Sequence, residues 1–176
     1  MSIILSSLRN TVVAGLILAL LLLLTFSTWG IVDTSSFSDQ AFYSFIFRWL
    51  HVLSAIMWIG LLWYFNFVQI PNMPNIPDDQ KPAISKVIAP AALWWFRWSA
   101  MATVATGLIL GYLNGYLESS MTLGFRGDGA PQHIAIGIGM WLGIIMFFNV
   151  WFVIWPNQKR ALGIVSVAAD VKAASA

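Results

Sequence analysis

The chain of 176 residues contains no cysteine at all. That excludes disulfides, thiolate metal sites, iron–sulfur clusters and haem attached covalently through C-x-x-C-H. Charge is also scarce, at 9% of residues, and a soluble surface needs far more. The basic residues are scattered, with no run suited to nucleic acid. No Walker motif, nucleophile constellation or closely spaced carboxylate pair occurs. What is abundant is apolar: 59% of the residues, with ten Trp and twelve Phe. Trp collects at membrane–water interfaces, where a half-apolar ring can keep its N–H paired.

The apolar residues come in four blocks, at about 11–29, 49–70, 89–112 and 134–155. Each has roughly the 20 residues a helix needs to cross ~30 Å of hydrocarbon. The expected fold is therefore all-α, a polytopic membrane protein with a four-transmembrane-helix bundle and one membrane domain over residues 1–176. A cleaved signal peptide is the competing reading of block one, but Thr25-Phe26-Ser27-Thr28-Trp29 is a poor cleavage site. The link from Pro71 to Pro90 holds Pro71, Pro74, Pro77, Pro82 and Pro90, so its first part is not expected to be regular helix, and Asp79–Val87 reads as a short interfacial helix. Asn114–Gln132 reads as a loop with turns, and the polar tail follows Pro156. Arg9, Lys81, Lys86, Lys159, Arg160 and Lys172 flank one side and only Arg48 and Arg126 the other. Positive flanks stay inside, so both termini are expected in the cytoplasm of a bacterial cell, the chain lying in its inner membrane.

Blocks two and four echo each other. Met57-Trp58-Ile59-Gly60 then Asn66 matches Met140-Trp141-Leu142-Gly143 then Asn149 at the same spacing. A shorter echo links Gly15-Leu16-Ile17-Leu18 with Gly107-Leu108-Ile109-Leu110. The pattern suggests two repeated helical hairpins, with blocks two and four parallel. Asn66 and Asn149 are expected to hydrogen-bond between helices, and Gly60, Gly107, Gly111, Gly137, Gly139 and Gly143 to allow close packing of helices or of a macrocycle.

The repeat puts the only two histidines, His51 and His133, at similar depth on neighbouring helices. Neutral imidazole is a common axial ligand of haem iron, and a helix bundle can cage a flat apolar macrocycle. His51 and His133 are thus candidate axial ligands of haem b, weighed against interfacial histidines bonded to water or backbone. Arg48, one turn outward from His51, and Arg126 are candidates to pair with haem propionates; ordinary snorkelling of Arg48 is the alternative. A non-haem metal held by His51, His133 and Asp128 ranks below haem. Arg97, inside Trp94-Trp95-Phe96-Arg97-Trp98, is read as interfacial, within an aromatic belt, and as a candidate for a substrate, quinone or lipid headgroup.

Arg48-Trp49-Leu50-His51-Val52 with Trp58-Ile59-Gly60, the Trp94–Trp98 string, and Asn149 through Arg160 (with Trp155-Pro156-Asn157-Gln158-Lys159-Arg160 the most specific part) resemble a known family. The chain is similar to the membrane domain of bacterial urate oxidase, the urate oxidase N-terminal-like family, and more loosely to small membrane haem proteins such as the oxygen-independent protoporphyrinogen oxidase of bacteria. The resemblance covers blocks two to four and implies a membrane-embedded redox protein. In that family the membrane part is larger and a cytochrome c domain follows; this chain has about half the helices and no haem-c motif, so autonomous urate oxidation is not implied. Three functions follow as expectations: a b-type haem electron-transfer protein or redox subunit of a larger respiratory or oxidase assembly, exchanging electrons with a periplasmic cytochrome; a non-catalytic accessory subunit packing against a larger membrane complex; or a urate-like small-molecule oxidase component. Membrane lipids and a homo-oligomer or larger complex are the expected partners.

Overall fold

The computed structural model describes residues 4, 6–31, 33–127, 129–166, 168, 171 and 174, and it is helical throughout, with no strand among those residues. Asp128 and Lys172 lie outside the described residues. Three of the described helical runs are long and apolar enough to cross a membrane: Leu8–Thr28, Gln40–Asn75 and Pro131–Ala161. The third expected span is the 25-residue helix Ala89–Leu113, roughly 37 Å long at ~1.5 Å per residue. It is long enough, but its polar content, Arg97 included, keeps it out of that set.

The chain falls into two compact units, Met1–Tyr43 and Ser44–Ala176. The first holds helix α1 (Leu8–Thr28), which is apolar all round and has no buried residue. This is the pattern of a helix whose solvent is lipid.

The second unit is built on three long helices. They are α2 (Gln40–Trp63, the boundary falling in its first turn), α3 (Ala89–Leu113) and α5 (Pro131–Phe148). A short α4 (Leu117–Met121) lies between α3 and α5, and α6 (Trp155–Ala161) follows α5. Phe65 meets Phe96 edge to face, while His51 meets Thr103, so α2 and α3 run antiparallel. Trp151 meets Trp98, while Tyr116 meets His133, so the α5 strand of the unit also opposes α3 and runs parallel to α2. Trp58, Leu93, Phe96, Ala100 and Val150 form the buried core where the three meet.

The prolines do not end these helices; they change their winding. π-helical turns occupy Tyr64–Gln69, Ile84–Ile88 and Asn149–Ile154. Each stops two residues before a proline: Pro71, Pro90 and Pro156. A proline brings no N–H and its ring crowds the carbonyl four residues back. Widening the preceding turn to i→i+5 bonds relieves both problems without breaking the rod. The helix of block two therefore continues to Asn75, and that of block four to Ala161. Asp79–Val87 is not a separate interfacial helix, since Lys81–Ala83 leads through the π turn straight into α3.

The repeat holds in direction but not in packing. Trp58 is 3% exposed in the core, whereas its counterpart Trp141 is 41% exposed and donates its indole N–H to the Met121 carbonyl at 2.9 Å. Asn66 donates to the Leu62 carbonyl of its own helix and Asn149 is exposed, so neither ties two helices together. Of the glycines expected at close contacts, Gly107, Gly111 and Gly137 do face neighbours, while a Cβ at Gly60, Gly139 or Gly143 would meet nothing within 4 Å.

Candidate functional site

His51 lies on the face of α2 turned toward α3. Its Nδ1 is 2.9 Å from the Thr103 carbonyl and 3.3 Å from Thr106 Oγ1. A carbonyl only accepts, so Nδ1 carries the hydrogen. Thr106 already donates its own hydroxyl to the Ala102 carbonyl at 2.6 Å, which leaves its oxygen free to accept from the ring as well. In the neutral imidazole this fixes the tautomer and leaves Nε2 with the lone pair. The ring fits because α3 has glycine beside it: a Cβ at Gly107 would stand 3.0 Å from His51 Cε1.

Next to the imidazole is a cavity of about 340 Å3 with walls from Gly107, Leu110, Tyr116, Ile136, Gly139 and Met140. A smaller apolar void along Val104, Leu108 and Ile144 also reaches His51 and Met140. The main cavity lies at the low end of the ~300–1,000 Å3 typical of ligand sites.

His133, in the first turn of α5, is not on that cavity wall. Its ring is stacked on Tyr116, with centroids 5.6 Å apart and planes 23° apart. Tyr116 is delivered there by the end of α3. Gly115 takes φ +73°, and the Tyr116 N–H returns to the Gly111 carbonyl at 3.1 Å, closing a Schellman turn that needs a residue at ease in the left-handed region. Tyr116 thus lies between the cavity and His133.

Arg48 and Arg126 are both exposed. The Arg126 backbone is fixed by its N–H to Thr122 Oγ1 at 3.1 Å. Among the described residues no group of three or more His, Asp or Glu is placed to hold a metal ion, and the third member of the imagined non-haem set, Asp128, lies outside them.

The aromatic string Trp94–Trp98 is divided between two faces of α3. Trp94, Trp95 and Trp98 are half-exposed, but Phe96 and Arg97 turn inward, and Arg97 is only 6% exposed. Its guanidinium lies 3.3 Å from the Trp155 ring centroid, a cation–π contact made strong by burial. Lys159 Nζ is 5.6 Å from the same ring. The Arg97 backbone carbonyl accepts from Trp151 Nε1 at 3.3 Å.

Sequence reasoning found His51 and missed what orients it. Thr103, Thr106 and Gly107 carry the signal, as small and polar residues at i, i+3 and i+4 of an otherwise apolar helix. Tyr116 had a weaker one, as the aromatic directly after Gly115. No protein-family model, curated protein or solved structure matches this chain.

Proposed function

We propose that the chain is a membrane-embedded b-type haem electron-transfer protein, working as a redox subunit of a larger respiratory or oxidase assembly. The observation that carries this reading is the Nδ1–H of His51 donating to the Thr103 carbonyl beside an apolar cavity. Ligating histidines are held in this manner: the second nitrogen is bonded to a carbonyl, which orients the ring and makes Nε2 the more basic donor.

A bound haem would supply reversible one-electron chemistry. The chain's part is ligation by His51, exclusion of water by Leu110, Ile136 and Met140, and orientation through Thr103. Arg48, three residues before His51 and exposed, is suited to pairing with a propionate, and Arg126 is the second candidate. His133 remains the other imidazole at this end, with Tyr116 stacked against it. The string that carries the resemblance to urate oxidase membrane domains contains His51 but not Thr103 or Gly107.

In this reading the chain crosses the membrane four times, α3 included. Lys81, Lys86, Lys159 and Arg160 mark the cytoplasmic side, and both termini lie with them. Burial of Arg97 against Trp155 is what lets α3 tolerate its charge.

The test is an optical spectrum of the detergent-purified chain. A Soret band, with a sharp α-band on reduction, is expected at a stoichiometry near one haem per chain. A colourless protein that co-purifies with a larger complex would support the accessory-subunit reading instead.

A further inference from the structure

At the opposite end of the three-helix unit from His51 is a second cavity, of about 320 Å3. Its walls come from all three long helical rods. The π turn Tyr64–Gln69 gives it Phe65, Asn66 and Gln69, and the π turn Asn149–Ile154 with α6 gives it Ile154 and Gln158. Its α3 wall is Ala89, which directly follows the third π turn, together with Leu93 and Phe96. Wide turns of this kind cost regular hydrogen bonding and are frequent at functional sites, where they re-aim side chains.

Two polar groups here are not satisfied by the chain. Gln69 Oε1 and Gln158 Oε1 are buried with no hydrogen-bond partner. Arg97 directly follows Phe96 but does not line this cavity: it is 6% exposed, and its guanidinium lies over the Trp155 ring. The only ion pair among the described residues is Lys81–Asp78, so no carboxylate neutralises Arg97. A buried amide oxygen left unpaired costs about 1–3 kcal/mol, and charged groups cost more. Two such oxygens on one cavity point to a ligand that completes them.

We infer that this cavity binds the headgroup of an isoprenoid quinone. A quinol offers two O–H donors and a quinone two carbonyl acceptors. A side-chain amide answers both, its oxygen accepting from the quinol and its NH2 donating to the quinone after rotation. The remaining walls are apolar and aromatic, as a quinone ring requires. The rim includes Ile70, which is 60% exposed, so a tail has a lateral way out between helices. The assignment does not depend on His51.

The test uses the full chain in phosphatidylcholine nanodiscs, titrated with decylubiquinone and followed by quenching of tryptophan fluorescence, with empty nanodiscs as baseline. Saturable quenching is expected. Gln158→Leu and Gln69→Leu each lose one hydrogen bond to the ligand and weaken binding about tenfold. Both variants raise the midpoint of thermal unfolding without quinone, because an unpaired buried polar group is gone. Non-saturable quenching, or affinity unmoved by both glutamine variants, overturns the proposal. So does native mass spectrometry finding a retained phospholipid with no quinone binding.

Discussion

Gly137→Val is expected to detach the segment that caps α3 and α5, from Leu117 to Gly127. Gly137 is buried on α5 directly beneath the carbonyl of Ser120, and a Cβ there would land on that oxygen, with the Leu123 side chain 3.0 Å away on the other flank. The obstacle is backbone, so no rotamer change relieves it. Overpacking of this type costs about 1–3 kcal/mol and more when the backbone must move. One turn further along α5, Trp141 holds the Met121 carbonyl, so both ends of the last turn of α4 hang on this face. Losing it frees Tyr116 from His133 and opens the cavity beside His51. Hydrogen exchange should rise across 117–127 while the core helices stay protected. Gly143→Ala is the control. Its Cβ meets nothing within 4 Å, and alanine is the better helix former by ~1 kcal/mol. That variant is expected to be neutral or slightly more stable. Equal exchange in both variants would refute the close approach.

The second large effect separates the two tryptophans of the repeat. In lipid there is little transfer free energy between helices, so packing carries the association. Trp58→Ala empties the centre of the three-helix core. With a cavity term of about 24 cal/mol per Å3, a void of roughly 100 Å3 costs on the order of 2 kcal/mol. Trp141→Ala, on a half-exposed residue, gives up mainly one hydrogen bond, about 1 kcal/mol. Trp58→Phe is expected to cost less than either, because the buried Trp58 Nε1 has no partner and its removal offsets the lost ring. The measurement is the unfolding midpoint in mixed micelles. Equal losses at positions 58 and 141 would mean that the two repeat units pack alike.

The long helical runs were legible because composition alone identifies them: Leu8–Thr28, Gln40–Asn75 and Pro131–Ala161 are each long and apolar enough to cross a bilayer. Their ends were not, because proline was read as a stop. The rods bypass Pro71, Pro90 and Pro156 through π turns, a backbone solution that leaves no mark in the pattern except the proline itself. The inward orientation of Arg97 was not legible for a related reason. A charge among four aromatics reads as an interfacial belt, yet the 100° step of the helix sends Trp94, Trp95 and Trp98 outward and Arg97 inward to Trp155. The repeat predicted parallel α2 and α5, but matched motifs do not specify which neighbour each face meets, and so Trp58 and Trp141 differ. His51 stood out by rarity. Its partners did not, since Thr103 and Gly107 are ordinary residues until a ring is laid against them.

The unmatched polar groups are divided between two ends of one unit. At one end His51 is oriented by α3, with Nε2 left to bind. At the other, Gln69 and Gln158 line a separate cavity. A redox protein with a haem near one face and a quinone near the other would have a use for both. The apolar core of Trp58, Phe96 and Val150 holds the intervening space rigid.

The most direct measurement is chemical rescue of His51→Gly. The purified variant is expected to lack the Soret band of the parent and to regain it, with haem, when imidazole is added during reconstitution, because the free ring can occupy the space beside Gly107 and donate to the Thr103 carbonyl. A variant that keeps its haem without imidazole, or a parent chain that takes up none, would contradict the assignment of His51 as the iron ligand.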